Sequence, residues 1–321
     1  MKKTILLFLT LFSIPVFWKN SGANLFAQQL PYYSQFISNM YLLNPAITGT
    51  KRTIDARMDD RTQWVGYDGA PRTLAFSLHG RFDKGKMGAG MSIVKDEIGP
   101  STQTAVAANY AYHIRFPDVE FSLGASGNLT KYTLDGSKIT LHNTQDPAIN
   151  QSISSFDWVP DASFGAYLYN DRFRLGISAL HFINSKAEFY KNDSAKKGII
   201  KYATHANVIL GYNYSTNPNY VMENVLLINY VVGAPVTVDY TVRLHYKSKM
   251  FVGTSLRLKD AIVLHVGATF MDNFQVSYSY DILTSPLSPY SHGSHEIMIS
   301  YSQNLHIVKD RFSHQRYQYM F

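Results

Sequence analysis

The chain has no cysteine among its 321 residues. That excludes disulfides, thiolate metal sites and lipoprotein acylation. Beyond the first two dozen residues no apolar run approaches the roughly eighteen residues a membrane helix needs, so a helical membrane protein is excluded. Charged residues are scarce at 17%, and with 45% hydrophobic residues the chain is neither disordered nor a solvating acidic polymer. Basic residues are scattered, without the block or stripe that marks a nucleic-acid surface, so no nucleic-acid partner is expected. Sustained helical periodicity is missing as well, with Ser34–Leu43 the one candidate.

What the chain does have begins with MKKTILLFLTLFSIPVF. Lys2 and Lys3 precede an apolar run too short to anchor in a bilayer, and a polar stretch then leads to Leu25-Phe26-Ala27. Residues 1–27 are expected to be a signal peptide cleaved after Ala27, which implies export. The formal charge of +7 loses Lys2, Lys3 and Lys19 with this leader and falls to about +4. A modest positive excess on an exported protein suits anionic lipid headgroups.

The stretch VTVDYTVRLHY (Val236–Tyr246) alternates strictly. Val236, Val238, Tyr240, Val242, Leu244 and Tyr246 fall on one face of a strand, and Thr237, Asp239, Thr241, Arg243 and His245 on the other. The same grammar recurs along the chain and predicts fourteen strands near residues 53–64, 72–82, 86–95, 101–114, 119–131, 161–170, 172–181, 202–214, 223–230, 236–246, 249–258, 261–271, 273–282 and 294–303. Connections after even-numbered strands are short, as at Asp83–Gly85, Pro117-Asp118, Asn170-Asp171, Lys247-Ser248 and Asp272. The long ones, near 132–160, 182–201 and 283–293, all follow odd-numbered strands.

Such sorting is what an up-and-down barrel in an outer membrane produces, with short turns on one rim and long loops on the other. A Greek-key sandwich gives no reason for it. A fourteen-stranded barrel is also too wide for wall side chains alone to fill. The expected architecture is therefore an all-β transmembrane barrel over 53–303, preceded by a periplasmic or plug-like segment at 28–52 and followed by a tail at 304–321. The oily face of Val236–Tyr246 would meet lipid, and Asp239, Arg243 and His245 a polar lumen.

Motifs for chemistry are weak. GRFDKGKM (Gly80–Met87) approaches a phosphate-binding loop, but Met87 replaces the hydroxyl residue and a strand follows where a helix should. HGSHE (His292–Glu296) offers two histidines and a carboxylate without a distant third ligand. Asp59-Asp60 and Asp96-Glu97 are adjacent on strands and point to opposite faces, which disfavours an acid/base dyad. No G-x-S-x-G or H-E-x-x-H occurs. No catalytic residue, metal ligand or cofactor is predicted. Tyr317, Tyr319 and Phe321 alternate at the C-terminus, as in a barrel-insertion signal or a plain tail.

Several blocks are more particular than barrel grammar requires: QQLPYYSQFISNMYLLNPAITGT (Gln28–Thr50), DRTQWVGYDGAPRTLAFSLHG (Asp60–Gly80), DEIGP (Asp96–Pro100), NYAYHI (Asn109–Ile114), YSYDILTS (Tyr278–Ser285) and GSHEIMISY (Gly293–Tyr301). Taken together and in this order, they resemble the PorP/SprF family of the Bacteroidetes type IX secretion and gliding system. The resemblance implies a non-enzymatic outer-membrane barrel that supports secretion or surface anchoring of proteins with C-terminal sorting domains, gliding adhesins among them. It implies as partners the periplasmic ring and motor subunits and a peptidoglycan-binding protein. The positions it carries as family-motif or partner-binding residues are Pro31, Gln35, Asn44, Pro45, Gly49, Gln63, Trp64, Gly66, Pro71, Asp281, His295 and Glu296. Trp64 also reads as an aromatic anchor at the membrane rim, and the glycines as turn formers. Asp281 and Glu296 are expected to join Arg57, Arg243 and Arg257 in luminal charge networks. The alternative is a porin or substrate-specific channel.

Overall fold

The computed structural model describes residues 30–51, 53–82, 85–139, 154–189, 198–217 and 219–304. The leader and the tail from residue 305 onward lie outside them. Among the described residues sixteen strands form, in chain order: β1 Thr53–Thr62, β2 Arg72–Phe82, β3 Met87–Ile98, β4 Ser101–Arg115, β5 Glu120–Asp135, β6 Ser154–Tyr169, β7 Phe173–Leu180, β8 Lys186–Phe189, β9 Gly198–Lys201, β10 His205–Asn217, β11 Tyr220–Val231, β12 Thr237–Tyr246, β13 Met250–Arg257, β14 Ala261–Phe270, β15 Phe274–Leu283 and β16 Ser294–Asn304.

All but β8 and β9 close into one barrel of fourteen antiparallel strands. Each strand pairs with its neighbour in sequence, β7 with β10 across the intervening hairpin, and β1 with β16 to seal the ring. Closure leaves the barrel without a free sheet edge, the condition for a sheet in hydrocarbon.

The alternation read in the sequence becomes inside and outside. On β12, Tyr240 and Leu244 are 45% and 43% exposed on the outer wall, whereas Asp239 and Arg243 are 0% and 2% exposed in the lumen. The outer wall repeats this with Val252, Leu256, Leu264, Val266, Ile297 and Ile299. Among the described residues no helix is long and apolar enough to cross a membrane; this barrel crosses with strands.

Three features depart from the sequence reading. β6 begins at Ser154, seven residues earlier than expected, because it pairs along the whole of β5 and lifts that hairpin beyond its neighbours. The long connection after β7 folds into the β8–β9 ribbon, whose Ala187 and Phe189 pack with Tyr132, Val159 and Tyr202 in a small apolar core. Ser34–Leu43 forms no α-helix; it winds through turns into a single 3-10 turn at Met40–Leu42.

Candidate functional site

The lumen is occupied by the chain's own residues 30–50. Leu30–Thr50 contains no Asp, Glu, Lys, Arg or His, so it enters a charged tube without a charge of its own. It starts at the long-loop rim, where the Leu30 N–H donates to His205 Nε2 at 3.2 Å and the Tyr32 hydroxyl to Asp239 at 3.3 Å. It then descends past β2, where Asn39 Nδ2 donates to the Ser77 hydroxyl at 3.0 Å. At the short-turn end it leads through Lys51 toward β1.

Two kinds of wall hold it. The upper part is gripped by ions. The Glu296 carboxylate accepts the backbone N–H groups of Ser34 and Gln35 at 2.7 and 2.8 Å. The Ser34 hydroxyl donates to Asp281 at 2.7 Å and accepts from Arg61 at 2.8 Å and Arg257 at 3.0 Å. Arg61 in turn donates to Asp281 at 2.8 Å and Glu296 at 3.0 Å. Arg257 reaches Asp281 at 3.1 Å and Asp239 at 3.2 Å, and its guanidinium lies 4.2 Å from the centre of the Tyr32 ring. Charges this deep are costly unless paired and hydrogen-bonded. Here two backbone N–H groups of the segment add to the shell.

The lower part is received by shape. Gly88 on β3, Gly124 on β5 and Gly165 on β6 lie under the backbone of residues 44–49. A Cβ on these would come within 2.2 Å of the Thr48 carbonyl, 2.3 Å of the Ala46 nitrogen and 2.0 Å of Asn44 Oδ1 respectively. Asn44 caps the 3-10 turn Pro45–Ile47 through Ala46 N–H and donates to the carbonyls of Ala166 and Ile177, both at 3.1 Å. Phe36, Ile37, Met40, Tyr41 and Ile47 of the segment pack with Tyr167, Ile209, Val225 and Leu227 of the wall. The lumen is therefore polar at β12–β16 and carries an apolar patch at Ile209 of β10 and Val225 and Leu227 of β11, where LLIN has hydrophobic residues on both faces.

The predicted positions divide by place. Pro31 lines an apolar recess near the long-loop rim, with Phe36, Leu227 and Val231. Gln35, Asn44, Pro45, Asp281 and Glu296 belong to the luminal contacts. Gly49 adopts φ +74° where a Cβ would sit 2.9 Å from the Gly80 carbonyl and Gly88 Cα; only glycine enters that conformation without strain. Gln63, Trp64, Gly66 and Pro71 sit together in the β1–β2 loop. There Gln63 N–H donates to the Pro71 carbonyl at 2.9 Å, and Trp64 N–H to the Ser294 hydroxyl at 3.1 Å. Val65 exchanges backbone hydrogen bonds with His292 and Gly293, so this loop clasps the β1–β16 seam.

His295 falls elsewhere. It lies on the outer wall with its Nδ1 2.6 Å from the Tyr278 hydroxyl, on the opposite face from Glu296. The HGSHE residues consequently do not converge, and among the described residues no three His, Asp or Glu side chains gather as metal ligands. Asp59 and Asp60 also part, Asp59 into the lumen and Asp60 outward to Arg72 at 2.9 Å. The expected charge network is corrected in two members. Arg57 pairs with Asp55 at 2.9 Å, and Arg243 donates to Ser38 at 2.7 Å; neither bonds Asp281 or Glu296. Arg61, visible in the sequence only as part of the DRTQW block, takes their place. Spacing along β1 could not show it, because its acidic partners lie on β15 and β16.

Comparison with known proteins places the chain against one family model, "Type IX secretion system membrane protein PorP/SprF", which matches residues 25–301. No curated protein matches the sequence. Among solved structures, the TodX deltaS2S3 mutant monoaromatic hydrocarbon channel is 12% identical with a TM-score of 0.49, covering 83% of this chain and 94% of that one. The Ralstonia pickettii toluene transporter TbuX is 11% identical with a TM-score of 0.48, covering 83% and 93%. The Acinetobacter baumannii outer membrane protein Omp33 is 11% identical with a TM-score of 0.43, covering 79% and 99%.

Proposed function

The chain belongs to the PorP/SprF family of type IX secretion system membrane proteins, and from that premise we propose that it is a non-enzymatic outer-membrane component of this machinery, supporting secretion or surface anchoring of proteins with C-terminal sorting domains. In this reading residues 1–27 direct export, the short turns face the periplasm and the long loops face outward. Its partners are the ring and motor subunits and a peptidoglycan-binding protein on the periplasmic side, and adhesin cargo.

One observation carries the choice over a passive channel: the lumen is filled by residues 30–50, bonded to the wall from one rim to the other. A conduit for small solutes needs an open path, whereas a docking component needs a rigid barrel with defined ends. The test compares surface and secreted proteins of cells with and without the gene, alongside outer-membrane fractionation of the tagged protein. Loss of proteins bearing C-terminal sorting domains is the expected result, and the number lost separates a core component from a dedicated helper. An unchanged profile with the protein still in the outer membrane would sink the secretion role and favour the channel.

A further inference from the structure

The buried charges of the lumen are sorted by height. Toward the long-loop rim, the inward-facing carboxylates among the described residues are Asp59, Asp96, Asp161, Asp239, Asp281 and Glu296, against two cations, Arg61 and Arg257. Toward the short-turn rim the balance reverses. Lys51, Arg57, Arg81, Arg174 and Arg243 stand there against Asp55, Glu120 and Glu223. The lower half therefore carries an excess of two positive charges in a confined space, where low-dielectric walls strengthen the field.

Into this half opens a vestibule bounded by the Ser38–Tyr41 turns above and Asn170 of the β6–β7 turn below. Lys51, Arg57 and Arg174 line it. Their carboxylate partners are shared out unevenly. Asp55 serves both Arg57 at 2.9 Å and Lys51 at 3.8 Å, and Glu223 serves Arg174 at 2.8 Å and His245 at 3.0 Å. Arg243, one strand beyond Glu223, has no carboxylate within ion-pair distance. It donates from Nη1 to Ser38 and stacks over Phe251 at 4.7 Å, while its buried Nε and Nη2 have no hydrogen-bond partner. Arg174 Nε is in the same position. Arg243 stands outside the vestibule's lining, so its uncompensated charge acts there through the field alone.

We propose that the short-turn vestibule is an oxyanion-binding site, in which Lys51, Arg57 and Arg174 receive a carboxylate or phosphate and Arg243 supplies field from behind. The site takes an anion because the cations outnumber their partners, and an oxyanion because guanidinium forks match two oxygens in one plane. It is reached from the short-turn side, since residues 30–50 obstruct the way from the other rim. It stands on the lumen's geometry and is independent of the secretion role.

The test is calorimetric titration of the full-length mature barrel in detergent with two probes, inorganic phosphate and a tetraglutamate peptide, with tetralysine as control. Saturable binding of at least one oxyanion is expected, weakened tenfold or more in Lys51→Glu and kept in Lys51→Arg. Asp96→Asn, at the far end of the lumen, should leave it unchanged. Binding of phosphate itself identifies a free oxyanion as sufficient; binding of the peptide alone identifies polypeptide carboxylates as the ligand. Absence of saturable binding by both probes, or binding indifferent to Lys51→Glu in a barrel that still migrates as folded on an unheated gel, would overturn the assignment.

Discussion

Gly124 lies so close beneath Ala46 that a Cβ built on it would come within 2.3 Å of the Ala46 nitrogen and 2.4 Å of the Pro45 carbonyl carbon. The wall and the segment were shaped against one another here, and neither partner is a flexible side chain that could swing away. Gly127, on the same strand, has nothing within 4 Å of its would-be Cβ. Gly124→Ala should therefore destabilise the barrel by about 1–3 kcal/mol, as overpacking does, or dislodge residues 44–49. Gly127→Ala should be close to neutral. The check is the temperature at which each variant loses its folded gel mobility. Equal behaviour of the two would contradict the fit.

Glu296 binds the segment through two backbone N–H groups and binds Arg61 as well. Glu296→Gln removes the charge while keeping the shape, leaving Arg61 with Asp281 and the Ser34 hydroxyl. Hydrogen bonds to a charged group are each worth about 1.5–3 kcal/mol, so lower thermal stability is expected. Because the upper grip loosens, single-channel recordings should show openings absent from the parent protein. A silent and equally stable variant would mean the ion cluster does not hold the segment.

The absence of cysteine makes single-cysteine labelling unambiguous. With long loops outward, Leu30→Cys should react with a bulky, membrane-impermeant polyethylene-glycol maleimide on intact cells. Thr50→Cys should react only after the outer membrane is permeabilised. The opposite order would invert the proposed orientation or the direction of the segment.

Lys51 stands just before β1, with Asp55, Arg57, Arg174 and Glu223 as its charged surroundings and His79 lining the same vestibule. Loss of water, and then the Arg57 guanidinium, pull its ammonium down to about 8. Only the protonated amine attracts an anion, so oxyanion affinity should hold below pH 8 and fall as the pH rises through it. In the unliganded barrel the sign is opposite. The unfolded chain holds that proton up to the ordinary lysine range, so this group adds stability as the pH climbs from about 8 toward 10.5. Titrations at pH 7 and pH 9 check the first statement, and Lys51→Arg should flatten the dependence.

The number of barrel strands, most of their positions and the wall orientation were legible along the chain, whereas the β8–β9 ribbon and the early start of β6 were not. What was legible is a local matter: a period of two sorts side chains to lipid or lumen, and turn length sorts loops to one rim or the other. Asp239, Arg243 and His245 needed no neighbour to declare their side of the wall. Pro31, Gln35, Asn44, Pro45 and Gly49 stood out as a block, but nothing local says that an uncharged stretch will lie inside a ring of arginines and carboxylates.

Fourteen antiparallel strands, their inside and their outside were determined by the sequence itself, because alternation is a property of consecutive residues. The tertiary structure alone decided what fills the lumen. Arg61 meets Asp281 and Glu296 across a seam that joins the first strand to the last, and Gly88, Gly124 and Gly165 line up only when three separate strands come into register. Those contacts join residues from forty to more than two hundred positions apart, and barrel closure is the physical event that brings them together.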